Sequence, residues 1–299
     1  MNVLILVNPQ AAGGRAQRLF PQIEAQCKAY QTHFVSFKIE MPKSIEDGLR
    51  LLKQTPINTR VVLVGGDGTL NQMLPALMNS EFEIGLVPYG SGNDCARAWG
   101  LHGMKWPEAL KFALFEKVKN TDLGRVELPA GKIHFFHSSL AVGFDASVGN
   151  RALAGPKFLR GLPRYLLATL RELTHLRNWD TQIWIDGAKA HQGTTLLAST
   201  LNTSSYGGGM PAVPHALIDD GKLHLLMAGQ FNRFQTLLML PRLLMGLHLS
   251  HSRIKTEAFL RAEINSSQAL PIAADGESLG FSNQIFIEVL PSALNVIRR

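Results

Sequence analysis

The 299-residue sequence has little cysteine: Cys27 and Cys95 are too few for a disulfide framework or a four-ligand structural zinc site. Long apolar runs are also missing, because Arg or Pro interrupts each one well before the roughly 18 residues that a membrane-spanning helix needs. The apolar run Val3–Val7 is short and has no basic residues before it, unlike a secretory signal. We therefore expect a cytoplasmic protein.

Charged residues make up only 18% of the chain against 45% hydrophobic residues, a composition that excludes a disordered protein. Thirty basic residues outnumber 23 acidic ones, which gives a net charge of +7 and favours anionic partners such as a nucleotide, a nucleic acid or an acidic lipid. No nucleic-acid-binding motif accompanies this charge, so we expect no nucleic-acid partner. At about 150 residues per domain, the length predicts two domains.

The first part of the chain alternates between strand patterns and helix patterns. Short continuous apolar runs are typical of strands that are buried on both faces. The predicted strands are Val3–Val7, Phe34–Ile39, Val61–Val64 and Ile84–Val87, and the first two helices are Arg15–Tyr30 and Ser44–Lys53. This alternation predicts a doubly wound parallel sheet.

After Asp122 the pattern changes to short strands separated by turn residues, which predicts an antiparallel sandwich or flattened barrel. The dipeptides Asp186-Gly187 and Asp220-Gly221 are typical of hairpin turns. The predicted strands are Arg125–Leu128, Lys132–Val142, Thr181–Ile185, Thr194–Leu201, Lys222–Met227, Arg253–Ile264 and Gln284–Leu290, and the predicted helices are Phe158–Arg177 and Phe231–Leu249. We place the domain boundary near Gly124.

Three glycine-rich segments follow strands of the first domain, at the edge where parallel sheets bind ligands. They are Asn8–Arg15, Gly65–Thr69 and Gly90–Asp94. Glycine lets a backbone approach phosphate, and although one such loop alone is more typical of an ordinary turn, three on the same edge of one sheet favour a phosphate site. Asp67 and Asp94 would repel phosphate unless a divalent cation or a basic group lies between carboxylate and phosphate, and each is also a candidate helix cap. The P-loop and dinucleotide-binding signatures are absent, which excludes those two classes.

Two of these segments, in the order in which they occur, resemble the motifs of a known family. Gly65-Gly-Asp-Gly-Thr-Leu-Asn71, followed by Pro88-x-Gly-Ser-Gly-Asn-Asp-x-Ala-Arg97, resembles the catalytic domain of diacylglycerol kinases. Bacterial YegS/DgkB-like lipid kinases and sphingosine kinases share these motifs, and NAD kinases are more distant relatives. Further matching segments occur in the expected order, namely Asn8-Pro9, Asp122-Leu-Gly124, Ala216–Leu223 and Asp275-Gly-Glu277.

The resemblance implies an α/β N-terminal Rossmann-like three-layer domain with a parallel sheet, followed by an antiparallel β-sandwich domain. It places the nucleotide domain at residues 1–124, with 291–299 returning to it, and the lipid-substrate domain at 125–290. It implies transfer of the γ-phosphoryl group of ATP to a lipid hydroxyl with Mg²⁺, and a possible homodimer. An NAD kinase-like enzyme, or a non-catalytic lipid- or nucleotide-binding regulator on the same scaffold, is the alternative.

Site residues follow from the same resemblance. Glu277 is the expected general base, with Asp275 as a metal contact or alternative base. The expected nucleotide contacts are Asn8, Gly65, Gly66, Asp67, Gly68, Thr69, Leu70, Asn71, Ser91 and Asn93. Asp67, Asp94 and Asp122 are expected to order Mg²⁺, and a structural Mg²⁺ is expected at the Asp220 side chain and the carbonyls of Leu217 and Lys222.

The segment Arg151–Trp179 contains six basic residues and one acidic residue, Glu172. Its leucines recur at near-helical spacing, so that an apolar stripe and a basic face can share one helix. Such a helix can lie in the headgroup region of an anionic membrane. The alternative is that the stripe packs on the sandwich and that the arginines are only solvated. We expect peripheral contact with anionic membranes.

Overall fold

The computed structural model describes residues 1–78, 80–90, 92–156, 158–159 and 161–299. The chain forms two compact units, the first comprising Met1–Thr121 and Ser292–Arg299 and the second Asp122–Pro291. Three residues of the sequence predictions lie outside the described residues: Ser91, an expected nucleotide contact, and Lys157 and Arg160, two of the basic residues of the expected membrane segment.

The first unit alternates strands and helices. Its elements are β1 (Asn2–Val7), α1 (Ala11–Lys28), β2 (Ser36–Glu40), α2 (Ile45–Gln54), β3 (Thr59–Gly65), α3 (Asp67–Leu77), β4 (Glu83–Pro88), α4 (Asp94–Ala98) and α5 (Trp106–Phe115). All strands pair in parallel in the order β2–β1–β3–β4, and the segment at Asn295 and Val296 adds a further parallel strand beside β4.

Burial on both faces explains why these strands are apolar throughout. Val3, Ile5 and Val7 share a hydrophobic cluster with residues of α1 and α5, while Leu4 and Leu6 are buried on the opposite face. α2 begins at the side chain of Ser44, which accepts a hydrogen bond from the backbone N–H of Asp47.

The strand order places a topological switch point between β1 and β3. The chain moves from β1 to β2 on one side and then crosses to β3 on the other side. Open α/β sheets bind ligands outside the carboxyl ends of the strands at such a point. The segments after Val7 and after Gly65 therefore flank the position where this topology favours a ligand.

The second unit is dominated by antiparallel strands. With the two strands that run across the division, its elements are β5 (Val118–Leu128), β6 (Lys132–Phe136), β7 (Ser139–Val142), α6 (Phe144–Leu153), α7 (Leu162–Glu172), β8 (Trp179–Ile185), β9 (Ala188–Leu201), β10 (Leu223–Gly229), α8 (Arg233–Leu244), β11 (Ile254–Phe259), β12 (Arg261–Ala274) and β13 (Glu277–Ile297). Both β7 and β8 pair with β9 and with β12, so these four strands form a closed ring of pairings around an apolar core.

The second unit differs from the sequence prediction in its segmentation. The predicted strand Arg253–Ile264 is wrong, because the chain turns at Leu260 between β11 and β12. Asp220-Gly221 does not join two paired strands, since β10 begins at Leu223 and pairs with β9 and β11. No pattern predicts α6, whose ten residues include Gly149 and follow β7 through a single residue, Gly143, at φ +93°.

The helix predicted over Phe158–Arg177 is shorter in the structure. α7 begins at Leu162 with a proline in its first turn, and a 3₁₀ turn at Leu173–His175 follows its last residue. No described helix is long and apolar enough to cross a bilayer.

Candidate functional site

The segments after β1 and β3 are tied together at the switch point. The Asn8 side chain donates from Nδ2 to Thr69 Oγ1 at 2.8 Å, and its Oδ1 accepts the backbone N–H of Gln10 at 2.9 Å. The backbone then enters the left-handed region at Ala12, Gly13 and Gly14, with φ of +54°, +70° and +84°. Such conformations concentrate at ligand-binding loops, where backbone N–H groups converge on an anion.

Two glycine loops pack backbone against backbone at Gly66 and Gly90. A Cβ on Gly66 would lie 2.7 Å from Gly90 Cα, and a Cβ on Gly65 would lie 2.3 Å from Thr69 Oγ1. A Cβ on Gly68 would meet no atom within 4 Å. The loop is therefore closed against its neighbours at Gly65 and Gly66 and open at Gly68, beside the N-terminus of α3, where an anion is favoured.

Asp67 joins the two loops through its carboxylate. Oδ2 accepts the backbone N–H of Asp94 at 3.0 Å, and Oδ1 accepts that of Cys95 at 2.9 Å. The sequence reading of Asp67 as the cap of its own helix is therefore wrong in detail, because its carboxylate caps α4, the helix that follows the next strand. Asp94 in turn accepts a hydrogen bond from Arg97 Nη1 at 2.9 Å.

Asn93 closes the Gly90 loop. Its side chain accepts the N–H of Gly90 at 3.0 Å and donates to the Gly90 carbonyl at 3.2 Å, while its own backbone is left-handed at φ +54°. Leu70 is fully buried in the core, so any ligand contact at this position involves backbone atoms only. The structure thus brings together Asn8, Gly65–Asn71, Asn93 and Asp94 at one edge of the parallel sheet.

In the second unit, Asp122 holds the loop that precedes β10. Its backbone N–H donates to the Ile218 carbonyl and its Oδ2 accepts the N–H of Gly221, both at 2.7 Å. Asp220 lies in this loop, where its Oδ1 accepts the N–H of Lys222 at 3.0 Å and its Oδ2 lies 3.6 Å from Nε2 of the buried His224. Burial lowers the pKa of His224.

The last two expected site residues, Asp275 and Glu277, lie in and directly after a hairpin turn. Asp275 and Gly276 form the two-residue connection between β12 and β13, with φ of +46° and +85°, which is the geometry of a type I′ turn. The Asp275 carboxylate is buried, and it accepts three backbone N–H groups, of His137, Ser138 and Ser139, at 2.8 to 3.0 Å. Glu277 begins the next strand and is exposed.

α7 lies beside this turn. The Tyr165 hydroxyl is 3.6 Å from the position that a Cβ on Gly276 would take, and the Tyr165 ring is 3.7 Å from the equivalent position on Gly207. Gly207, Gly208 and Gly209 all have positive φ, and a Cβ on Gly208 would lie 2.8 Å from the Leu162 backbone nitrogen. Three consecutive glycines are the sequence signal that could have indicated this close approach.

A buried polar cluster centred on Asp145 is also absent from the sequence expectations. Asp145 Oδ2 accepts from Ser199 Oγ at 2.5 Å, and Ser199 Oγ accepts the N–H of Val142 at 2.9 Å. Burial raises the pKa of Asp145 to about 7, and burial together with the Asp145 charge raises the pKa of Tyr206 well above its usual value. Asp145 lies on α6 and Ser199 on β9, 54 residues later in the sequence, so no local spacing pattern links the two residues.

A metal centre built from side chains alone is absent from the described part of the chain: no group of three or more His, Cys, Asp or Glu residues there could hold an ion. Asp94, Asp122 and Asp220 are nevertheless oxygen donors of the type that Mg²⁺ prefers, and Mg²⁺ in kinases is held by one or two carboxylates together with substrate phosphates. Asp94 of the first unit therefore fits a cation that arrives with a nucleotide, whereas Asp122 and Asp220 belong to the second unit.

Comparisons with known families cover nearly the whole chain. Residues 2–126 match the diacylglycerol kinase catalytic domain, and residues 138–298 match the YegS C-terminal NAD kinase beta sandwich-like domain. A diacylglycerol kinase of Mycobacterium tuberculosis is 31% identical over 240 residues, which covers 80% of this chain and 76% of that protein. A YegS-like lipid kinase of Chromohalobacter salexigens is 30% identical, covering 83% and 79%.

Solved structures share the fold. A diacylglycerol kinase from Bacillus anthracis has a TM-score of 0.76 at 21% identity, covering 100% of this chain and 97% of that one. An NAD kinase from Archaeoglobus fulgidus in complex with ATP has a TM-score of 0.56 at 15% identity, covering 100% and 94%. Together with the glycine loops and the order of the two units, the sequence matches show that the chain is a kinase and belongs to the family of diacylglycerol kinases and YegS-like lipid kinases.

Proposed function

We propose that this kinase transfers the γ-phosphoryl group of ATP to the hydroxyl of a diacylglycerol-like lipid in a Mg²⁺-dependent reaction. The observation that carries the proposal is the pair of glycine loops in backbone contact at Gly66 and Gly90, with open space at Gly68. Phosphoryl transfer depends on positioning and on charge stabilisation, and such loops supply backbone N–H groups for both.

In the proposed nucleotide site, Gly65–Asn71 bind the phosphates through the N-terminus of α3. Asn8 orients Thr69, Asn93 holds the Gly90 loop closed, and Ser91 is retained as a predicted contact. Because both oxygens of Asp67 accept N–H groups, we assign to it the positioning of α4 as well as a place in the acidic network. Bound Mg²⁺ would offset the charge that develops on the phosphate oxygens.

We assign the general base to Glu277 and a positioning role to Asp275. Glu277 is exposed, whereas Asp275 is buried and its oxygens are occupied by three N–H groups. A lipid hydroxyl has a very high pKa, so Glu277 accepts its proton late, as the new O–P bond forms. Asp275 fixes the turn from which Glu277 projects.

We also propose a structural Mg²⁺ in the loop before β10, held by the Asp220 carboxylate and the carbonyls of Leu217 and Lys222. Support comes from Asp122, whose two hydrogen bonds fix both ends of this loop and so reduce the entropic cost of ordering it around an ion.

The acceptor lipid is proposed to approach beside α7, because Tyr165 of this helix lies near Gly276 in the turn next to Glu277. Two basic residues of the segment Arg151–Trp179 make contacts within the fold, since Arg151 pairs with Glu172 and Arg164 donates to the Leu153 carbonyl. Arg171 and Arg177 are exposed and are the proposed contacts with anionic lipid. Cytoplasmic location and a homodimer stay predictions of the sequence.

The test is transfer of label from γ-³²P-ATP to a panel of acceptors, namely diacylglycerol, monoacylglycerol, phosphatidylglycerol, a sphingoid base and NAD, across a Mg²⁺ titration. We expect label in a glycerolipid and dependence on Mg²⁺. Label in NAD alone would instead establish the NAD kinase alternative, and no labelled acceptor would contradict the proposal.

A further inference from the structure

Helix α8 has apolar residues on two opposite sides. Met239 and Leu243 pack against the core of the second unit. On the other side, Phe234 is 67% exposed, Leu237 41%, Leu238 57% and Met245, just after the helix, 62%. At 3.6 residues per turn, Phe234, Leu238 and Met245 lie on one face. We call the four exposed residues Phe234, Leu237, Leu238 and Met245 the α8 face.

A helix with apolar residues on two opposite sides is normally buried on both of those sides. α8 is nevertheless well formed at its start, where Asn232 and Gln235 make a complete capping box. Exposed apolar residues that form one patch mark an interaction surface rather than random surface composition.

The charge around the α8 face identifies its partner. Residues 221–256 contain five basic residues and no acidic residue, and two of the basic residues, Arg233 and Arg242, lie on α8 itself. A second copy of this face would bring the arginines of α8 together, with no acidic residue on either helix to pair with them. An anionic bilayer supplies both the missing negative charges and an apolar layer.

The helix is anchored to the segment that follows α7. Arg233 Nη2 donates to the Thr174 carbonyl at 2.8 Å. Arg171 and Arg177 flank Thr174 in sequence and are exposed, so exposed positive charge lies close to the start of α8.

We propose that the α8 face inserts into the headgroup region of an anionic lipid bilayer. This inference rests on the proposed lipid kinase function and adds apolar insertion through α8 to the electrostatic contact already assigned to the arginines near α7. Burial of Phe234 and Leu238 beneath the headgroups would hold the kinase at the surface where its acceptor resides.

A single exposed thiol can report insertion, because both native cysteines are buried. Leu238→Cys carries an environment-sensitive fluorophore, and Leu260→Cys, at a position 52% exposed in the turn between β11 and β12, is the matched control. With phosphatidylglycerol vesicles we expect a blue shift at position 238 and none at position 260. Equal responses, or none at either position, would overturn the proposal.

A double variant separates this inference from the kinase assignment. Phe234→Ser with Leu238→Ser should lower partitioning onto phosphatidylglycerol vesicles by about tenfold or more, while Leu260→Ser leaves it unchanged. Turnover on a monomeric short-chain diacylglycerol should stay at the wild-type rate in both. If wild-type protein phosphorylates no lipid, the proposed function fails, but vesicle partitioning is still measured on its own. Unchanged partitioning, with or without a change in oligomeric state by sedimentation velocity, would overturn the insertion of α8.

Discussion

Asp275 and Glu277 are two carboxylates separated by one residue, and their surroundings differ completely. Asp275 is buried beneath three backbone N–H donors of the β6–β7 connection, and Glu277 faces solvent at the start of β13. The first therefore stabilises the fold, and the second is the residue that we propose as the general base.

From this difference we predict that substitutions at the two positions have very different effects on stability. Asp275→Ala leaves three buried N–H groups without an acceptor and should lower the free energy of unfolding by roughly 2–4 kcal/mol. Glu277→Ala should change it by less than about 0.5 kcal/mol. Urea denaturation of both variants measures this, and equal losses would contradict the distinction between the two residues.

Asp145 predicts a pH dependence of stability. Burial raises its pKa in the folded protein from 3.8 to about 7, so folding takes up a proton between these values. The stability that protonated Asp145 contributes is therefore fully present below about pH 4 and is lost as the pH rises through about 7. Asp145→Asn cannot ionise, so the melting temperature of wild type should fall relative to that of the variant over this range. If the melting temperatures of wild type and variant change in parallel from pH 4 to pH 8, the pKa of Asp145 is not raised.

At the scale of elements, α4 is a five-residue helix whose backbone N–H groups depend on a side chain from another loop. We predict that Asp67→Asn, which leaves a single acceptor oxygen, loosens α4 and the Gly90 loop together. ATP affinity should therefore fall even without Mg²⁺, and stability should fall by about 1 kcal/mol.

Asp47→Asn is the matched control, because Asp47 accepts the backbone N–H of Lys43 at the start of α2. It should reduce stability without changing ATP affinity, as measured by isothermal titration calorimetry and thermal melting. A loss of affinity in Asp67→Asn that appears only with Mg²⁺ would show that metal binding, not positioning of α4, is its main role.

Which elements the sequence could predict depends on how local their determinants are. The runs Val3–Val7 and Val61–Val64 are continuous and apolar, so the parallel strands and the glycine loops after them were predictable and are confirmed. The capping of α4 by Asp67 spans 27 residues and requires knowledge of the strand order. α6 was missed because Gly149 weakens its helical pattern, and the break at Leu260 because apolar residues continue on both sides of it.

At the scale of the whole molecule, the chain carries a net charge of +7, and Arg151–Trp179 contains six of its 30 basic residues. Ion pairing to Glu172 and hydrogen bonding to backbone carbonyls engage Arg151 and Arg164, respectively, which leaves Arg171 and Arg177 among the described arginines for membrane contact. Substitution of Arg171 and Arg177 is therefore a cleaner test of membrane contact than substitution of Arg164, whose loss would also disturb the fold.

We predict that Arg171→Gln with Arg177→Gln weakens binding to phosphatidylglycerol vesicles by about tenfold or more at low salt, since each basic residue near an anionic surface contributes about 1 kcal/mol. Raising the salt concentration should weaken wild-type binding and reduce this difference. The control, Arg18→Gln with Lys53→Gln, removes the same charge from exposed positions of the first unit and should have little effect. Equal losses in the two double variants would show that total charge, rather than this segment, governs binding.

The proposed mechanism separates two roles: Glu277 takes the proton of the lipid hydroxyl, and the glycine loops of the first unit bind ATP. The decisive measurement is turnover of Glu277→Gln on the lipid that wild type phosphorylates, with Glu257→Gln, at an exposed position on β11, as the control. We predict that Glu277→Gln lowers kcat on the order of 10²-fold or more, with unchanged ATP affinity, and that Glu257→Gln retains the wild-type rate. Turnover of Glu277→Gln at the wild-type rate would contradict the account.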